Sequence, residues 1–174
     1  MIDQITVFLE NSEGRLAALC RTLAWANINM RSLVIADTAD YGVVRIICDD
    51  PQRALDVLNA ADYRAISTKV AAIGVPNEPG GLARLLAKLD ELDQNIEYGY
   101  CFSLSGDMAC DVLKISGAEE ASAAAQAIEA AGFKLLKQED IAYTIDASHD
   151  PTDRMDSLAA SSPRTNAPAL WRAH

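Results

Sequence analysis

Residues 77–82, N-E-P-G-G-L, have the types and spacing of a turn that binds a small anion. They stand between an apolar run at 70–75 and an amphipathic run at 82–92, which predicts a strand, a tight turn and a helix start. Pro79 has its φ angle preset for a first helical turn, and the two glycines let the backbone approach another group closely. Backbone N–H groups at a helix start have no intrahelical acceptor and favour a carboxylate. A few such hydrogen bonds at ~1.5–3 kcal/mol each support micromolar to millimolar binding, which fits a free amino acid.

The same junction occurs earlier as N-S-E-G-R-L at residues 11–16, after the apolar run 5–9. An ungapped alignment pairs Asn11 with Asn77, Gly14 with Gly80, Leu16 with Leu82, Leu19 with Leu85, Leu23 with Leu89 and Asn29 with Asn95. After a short insertion it resumes with Ala54 and Ala124, Leu58 and Ile128, Ala61 and Ala131, and Tyr63 and Phe133. The shared asparagine, glycine and aromatic positions indicate a duplication. The other interpretation of both turns, that Asn-x-x-Gly only caps a helix, stays open on the residues alone.

Motifs of catalysis are missing from the sequence. It contains no G-x-S-x-G, no G-K-[ST], no H-E-x-x-H and no G-x-G-x-x-G after a strand. The two histidines, His149 and His174, lie beyond both repeats, so neither repeat has a histidine for acid–base chemistry or for a metal. The acidic residues Asp90, Glu91 and Asp93 lie on or beside the helix face opposite the leucines, which predicts solvent exposure. We therefore predict a protein that is not an enzyme and has no metal and no cofactor.

Each repeat has the element order β-α-β-β-α-β. Alternation over residues 5–9 predicts a strand, and Leu16, Leu19, Cys20 and Leu23 predict a helix stripe capped by Asn11 or Ser12. The remaining elements of the first repeat are strands at 28–36, 43–48 and 64–69 and a helix opened by Pro51. The second repeat has strands at 70–75, 95–104, 108–115 and 134–143 and helices at 82–92 and 119–131. With both helices on one face, this order predicts an α+β fold of two ferredoxin-like units with four-stranded antiparallel sheets.

The predicted organisation is a first repeat at residues 1–69, a second at 70–145 and a tail at 146–174. No spacer separates the repeats, so we expect them to lie side by side. The tail is rich in Ser, Pro, Asp, Thr and Ala and is predicted to be disordered. A docking motif around Leu170 and Trp171 is the alternative interpretation of the tail.

Composition excludes several classes of partner. The net charge of −10 repels phosphate backbones and anionic lipid surfaces, so we expect no nucleic acid and no membrane partner. No segment approaches ~18 uninterrupted apolar residues and the N-terminus lacks a basic leader, which predicts a cytoplasmic protein. The four cysteines contain no C-x-x-C pair and are predicted to be buried free thiols.

The chain resembles tandem ACT domains in its paired turns, in its element order and in two strings of residues. These strings are G-R-L-A-A-L…A-N-I-N-M (residues 14–30) and P-G-G-L-A-R-L-L…Q-N-I-E-Y (residues 79–98). ACT domains are small regulatory modules known for binding amino acids, and the resemblance covers residues 1–143. In that family ligands commonly sit against the β1–α1 turn, where a neighbouring domain or subunit closes the pocket. The resemblance implies ligand-binding residues in each repeat: Asn11, Ser12, Gly14, Arg15, Leu16, Asn29 and Met30, and Asn77, Glu78, Pro79, Gly80, Gly81, Leu82, Asn95 and Ile96.

The function expected from this resemblance is a non-catalytic sensor that binds a free amino acid and acts by association. Unpaired sheet edges and open sheet faces predict that the repeats pair with each other and that the chain forms a homodimer. The alternative is a regulatory subunit of an amino-acid biosynthetic enzyme, similar to the small subunit of acetolactate synthase, that acts on a partner enzyme in trans. A small enzyme built on the same fold is the third hypothesis.

The two turns differ, and on sequence we expect repeat two to be the stronger site. Pro79 and its glycines rigidify the loop and allow close approach, and we expect Gly80→Val to reduce binding with little loss of fold and Gly14→Val to matter less. Tyr98, Tyr100 and Phe102 alternate on one strand face. They either fill a core or interface, or bring Tyr98 or Tyr100 against the ligand side chain.

Overall fold

A computed structural model describes residues 1–37, 41–105 and 107–142. The strands in this part are β1 Ile2–Glu10, β2 Met30–Asp37, β3 Tyr41–Cys48, β4 Arg64–Pro76, β5 Ile96–Ser105, β6 Met108–Ile115 and β7 Lys134–Leu135. The helices are α1 Arg15–Trp25, α2 Pro51–Ala60, α3 Gly81–Asp90, α4 Ala118–Ala130 and α5 Gln138–Ala142. The predicted turns at 38–41 and 105–107 fall partly outside the described residues, and the predicted tail at 146–174 falls wholly outside them.

Strand β4 belongs to two antiparallel sheets. Its first half, through Val70, pairs with β1 and completes the order β2-β3-β1-β4. Its second half, from Ala71, pairs with β6 and β7 and gives the order β7-β4-β6-β5. Each sheet therefore has the strand order of a βαββαβ unit, and the predicted pair of ferredoxin-like repeats with four-stranded sheets is confirmed. The last strand of the first repeat runs without interruption into the first strand of the second.

Helices cover one face of each sheet. Alternate residues of β1, namely Ile5, Val7 and Leu9, form a core with Leu19 and Leu23 of α1 and Ala54 and Leu58 of α2. The corresponding core of the second repeat joins Ile73 and Val75 of β4 to Leu85 and Leu89 of α3 and Ile128 of α4. Leu19, Leu23, Leu85 and Leu89 of the two predicted leucine stripes are therefore buried, whereas Leu82 at the start of α3 is exposed.

The opposite faces of the two sheets pack against each other. A third core joins Ile2 of β1 and Ile47 of β3 to the β6 residues Cys110 and Val112, with Tyr100 and Phe102 of β5 packed against it. Gln4 of β1, which is fully buried, is hydrogen-bonded to the phenol groups of Tyr98 and Tyr100. The predicted pairing of the repeats is confirmed.

Strand β7 is much shorter than the strand predicted at 134–143. The backbone N–H of Leu136 still donates to Ala72 O at 2.8 Å, but Lys137 N then donates to Asp140 Oδ2 at 2.8 Å and the chain turns into α5. Glu139 and Asp140 occupy the first turn of α5, where the helix dipole favours acidic groups. The prediction was wrong because it followed the apolar residues and ignored this acidic helix start.

Candidate functional site

The first turn opens α1 with a left-handed glycine. After β1 ends, Arg15 N donates to Ser12 O at 3.4 Å and Ala18 N donates to Gly14 O at 2.9 Å. Gly14 is the N-cap residue, with φ 79° and ψ −13°, and no side chain caps the helix. The amides of Leu16 and Ala17 therefore lie in a first helical turn, whose N–H groups have no intrahelical acceptor.

The second turn has the same backbone form. Gly80 is the N-cap residue of α3, with φ 87° and ψ −5°, again without a side-chain cap. Asn77 N donates to Asp107 O at 2.7 Å and Gly81 N donates to Glu78 O at 3.0 Å, which fixes the loop at both ends. Arg84 Nη2 lies 2.6 Å from Glu78 Oε1, so an ion pair crosses this turn.

Neither asparagine caps a helix. The sequence predicted Asn11 or Ser12 as the cap of α1, but the cap position belongs to Gly14. In α2, by contrast, the Asp50 side chain accepts from Arg53 N at 3.0 Å. No side chain of the Asn-x-x-Gly pattern thus binds the first-turn amides that follow Arg15 in α1 and Gly81 in α3, against the interpretation that the pattern serves only as a cap.

Gly80 and Gly81 are required for different reasons. A Cβ on Gly81 would collide with the carbonyl oxygen of Pro76, so this glycine allows α3 to pack against the end of β4. Gly80 has space for a Cβ, with Arg84 Nη1 the nearest group at 3.7 Å, but its φ is positive. A β-branched residue is strained at positive φ, so the expectation that Gly80→Val leaves the fold intact is corrected.

The strand-start residues lie at the other end of each sheet from the turns. Asn29 N donates to Asp49 Oδ1 at 3.1 Å beyond the Cys48 end of β3, and Met30 packs on the first core. The turn after β1 lies beyond the opposite end of β3, where Glu10 pairs with Tyr41. Eight strand residues at ~3.4 Å each separate these ends by ~25 Å. Within one chain, Asn29 and Met30 are therefore not brought to the turn of their own repeat.

The second repeat shows the same separation. Asn95 Nδ2 donates to Ser116 Oγ at 2.8 Å, and Ile96 pairs with Ile115 and packs on the second core. The turn at 77–82 lies beyond the other end of β6, where Met108 pairs with Pro76.

Tyr98 lies between the repeats and not at a turn. The guanidinium carbon of Arg45 is 3.9 Å from the centroid of the Tyr98 ring, and Gln4 Nε2 donates to the Tyr98 hydroxyl at 2.9 Å. Tyr100 donates its hydroxyl proton to Gln4 Oε1 at 2.8 Å, and burial raises the pKa of this phenol, which keeps it protonated. Sequence reasoning missed Gln4 and Arg45, although each interrupts an apolar strand and so was a signal of a buried polar contact.

The cysteines are free, as predicted, but not all are buried. Burial raises the pKa of the Cys48 thiol and of the Cys110 thiol to about 12 in each case, so neither is a thiolate at neutral pH. Cys101 is exposed on β5 and Cys20 is half-buried, which corrects the prediction for these two residues. Among the described residues, no group of three or more His, Cys, Asp or Glu side chains is placed to hold a metal ion.

Comparison with known proteins identifies the family. The family model for the ACT domain pair matches residues 1–145. The chain belongs to the ACT domain pair family. Its structure resembles that of a protein of Bacteroides thetaiotaomicron, with 33% sequence identity, a TM-score of 0.75 and coverage of 82% of this chain and 96% of the other.

Two further structures share the ACT domain pair fold at lower identity. The ligand-free regulatory subunit of aspartate kinase from Thermus thermophilus is 21% identical, with a TM-score of 0.55 and coverage of 74% of this chain and 91% of that subunit. The corresponding subunit from Thermus flavus is 20% identical, with a TM-score of 0.52 and coverage of 75% and 92%. No curated protein sequence matches the chain significantly. None of the helices in the described part of the chain is long and apolar enough to cross a membrane.

Proposed function

We propose that this ACT domain pair is a non-catalytic sensor that binds a free amino acid at the turns 11–16 and 77–82. The observation that carries the proposal is the shared form of the two turns. Gly14 and Gly80 have nearly the same left-handed conformation, and no side chain caps the helix that follows either one. The open N–H groups and the positive end of the helix dipole suit the carboxylate that every amino acid carries.

A second chain completes each site in this proposal. The turns and the strand-start residues of one repeat lie at opposite ends of its sheet, so Asn29 and Asn95 do not reach the turn of their own repeat, and the proposal brings them to a turn of another copy. In the described part of the chain, β2 and β5 are the two ends of the continuous strand order β2-β3-β1-β4-β6-β5, and each gives a second copy an unpaired edge to join. We infer a homodimer in which ligand and assembly are linked.

The alternative is a regulatory subunit that acts in trans on an enzyme of amino-acid biosynthesis. Its support is the fold, which the chain shares with the regulatory subunit of aspartate kinase from Thermus thermophilus. Co-purification of an enzyme with the tagged chain from its native cells separates this alternative from a free-standing sensor.

The proposal is tested by thermal unfolding of the full chain with each of the twenty amino acids. A ligand at ~100 times its dissociation constant adds ~2.7 kcal/mol to the folded state, so a true ligand raises Tm clearly above the others. Light scattering with and without that ligand gives the oligomeric state. No shift with any amino acid would refute the sensor, and a monomer under both conditions would refute the shared site.

Two matched variants locate the site. Asparagine tolerates the left-handed conformation, so Gly14→Asn and Gly80→Asn keep the backbone while adding a polar side chain beside the open amides. A Cβ at Gly14 has no atom within 4 Å and one at Gly80 only Arg84 Nη1 at 3.7 Å, so both variants should fold. We expect calorimetry to show at least tenfold weaker binding for the variant at each occupied turn. Unchanged affinity in both variants would place the ligand elsewhere.

A further inference from the structure

A cavity of about 530 Å³ lies beside the first turn. It is built from the end of β1, the first residue of α1, the start of β3 at Val43 and the segment that leads from α2 into β4. Its volume is within the range of small-molecule sites, ~300–1,000 Å³. The feature that sets it apart is the charge of its walls.

Two arginines line this cavity, and an aromatic ring supports each of them. The guanidinium carbon of Arg15 is 5.6 Å from the ring centroid of Tyr63, and that of Arg64 is 5.2 Å from the ring centroid of Phe8. A guanidinium held over a ring keeps its N–H edges available for the oxygens of a carboxylate. The cavity therefore presents two preorganised forks for two carboxylate groups.

Neither arginine lies within ion-pair distance of a carboxylate in the described part of the chain. The ion pairs among the described residues involve Lys69, Arg84, Lys88, Lys134 and Lys137, and neither arginine of this cavity. The Nε atom of Arg15 is buried and has no hydrogen-bond partner in that part of the chain. A buried donor without an acceptor is costly, and no polar group in the described part of the chain offsets this cost.

Two acidic residues, Glu10 and Asp62, line the same cavity. They suit a positive group on the ligand, such as an ammonium. Phe8 and Val43 supply an apolar wall for an aliphatic spacer. The walls thus match a molecule with two carboxylates, one ammonium and a short carbon chain.

The second repeat contains a cavity at the equivalent place that lacks this charge pattern. The repeat alignment pairs Phe8 with Gly74, Glu10 with Pro76, Asp62 with Gly132, Tyr63 with Phe133 and Arg64 with Lys134, and all five partners line a cavity of about 640 Å³. Pro76 and Gly132 replace the two acids. The cations there are already paired: Arg84 with Glu78 at 2.6 Å, Lys88 with Glu91 at 2.7 Å and Lys134 with Asp140 at 3.6 Å.

We propose that the cavity of the first repeat binds a dicarboxylic α-amino acid, with Arg15 and the open amides of the adjoining turn holding one carboxylate, Arg64 holding the other, and Glu10 and Asp62 facing the ammonium. This inference rests on the proposed function, whose ligand class it specifies. It also reverses the expectation from sequence that repeat two is the stronger site, because the cations of the second cavity are already held in ion pairs, whereas Arg15 and Arg64 are in none of the ion pairs among the described residues.

Calorimetry of the full chain tests the ligand class. L-aspartate and L-glutamate are compared with L-asparagine and L-glutamine, which replace one carboxylate by a neutral amide, and with succinate and glutarate, which lack the ammonium. We expect one of the two dicarboxylic amino acids to bind at least tenfold more tightly than its amide and its diacid. Equal or tighter binding of the amide, or of any neutral amino acid, overturns this inference and leaves the proposed function standing. The absence of binding by all twenty amino acids overturns both.

A pair of variants tests the location. Arg64 is exposed, so Arg64→Met keeps the aliphatic stem and removes the charge without disturbing a core. Lys134→Met is the matched control, since Lys134 is the counterpart of Arg64 in the other cavity. We expect Arg64→Met to weaken binding of the dicarboxylic amino acid at least tenfold and Lys134→Met to leave it unchanged. An equal loss in both variants, or a loss only in Lys134→Met, overturns the assignment to the first repeat.

Discussion

At the residue scale, Asp111 gives the clearest pH-dependent prediction. Its side chain lies in the middle of β6 with a residue exposure of 4%, and burial raises the pKa of its carboxyl above the ordinary value. The unfolded chain then loses this proton at a lower pH than the folded chain does. The free energy of unfolding therefore falls as pH rises from ~4, the ordinary pKa of aspartate, through the raised value in the fold.

The variant Asp111→Asn should remove this loss, because the amide has nearly the same shape and does not ionise. We expect the variant to be more stable than the wild type at pH 7 and about equally stable below pH ~4, as measured by urea unfolding across that range. Asp90→Asn on the exposed face of α3 is the control and should change little. Identical pH profiles for Asp111→Asn and the wild type would contradict the prediction.

Individual residues show where sequence reasoning succeeds and where it stops. The turns 11–16 and 77–82 were predicted because glycine, proline and asparagine act on the local backbone, which a short stretch of sequence defines. The role of Gly81 was not predictable, since the Pro76 carbonyl that excludes its Cβ is placed there only by the packing of α3. Arg15 was named for its position in the turn, but its contact with Tyr63 depends on two segments far apart in the chain.

At the element scale, α5 is the part of the fold that the sequence pattern misrepresented. Leu135, Leu136 and Ile141 suggested a strand, yet hydrogen bonds between Lys137 and Asp140 turn the chain after β7. In the side chain of Gln138, Nε2 donates to Cys48 O at 2.7 Å and Oε1 accepts from Asp3 N at 3.2 Å. These two hydrogen bonds attach α5, at the end of the second repeat, to the first repeat. A short helix held by such distant partners has no strong periodic signal of its own.

This role predicts a large effect of Ile141→Ala. Ile141 is fully buried in the core between the repeats, and removing a buried aliphatic side chain of this size costs about 2–5 kcal/mol. Glu139→Ala, on the exposed side of the same helix, should cost less than about 0.5 kcal/mol. Urea unfolding of both variants measures the difference. A cost for Ile141→Ala as small as that for Glu139→Ala would show that α5 does not stabilise the contact between the repeats.

At the scale of the whole molecule, the duplication determined most of what could be predicted. Two equivalent patterns of apolar residues gave both sheets and the face that each helix covers, because these features repeat with the period of the element. The sheet faces that no helix covers favour burial, so the packing of these two faces against each other could also be predicted. The particular polar contacts of that interface could not be derived from the sequence. They depend on the twist of the continuous strand β4 and on which residues of the two sheet faces come into contact.

The interface between the repeats should act as one cooperative unit through Gln4. Tyr100→Phe removes the hydroxyl group that donates to Gln4 Oε1 and leaves this oxygen of a fully buried residue without that donor. The free energy of unfolding should fall by about 1–3 kcal/mol. Tyr98→Phe should cost less, because Gln4 Nε2 keeps a second acceptor, Thr6 Oγ1 at 2.9 Å. Native-state hydrogen exchange measures both costs residue by residue. If the interface couples the repeats, Tyr100→Phe lowers the protection of slowly exchanging amides in β1 and in β6 by the same amount. A loss of protection confined to β6, or a larger cost for Tyr98→Phe, would show that the repeats unfold independently of this network.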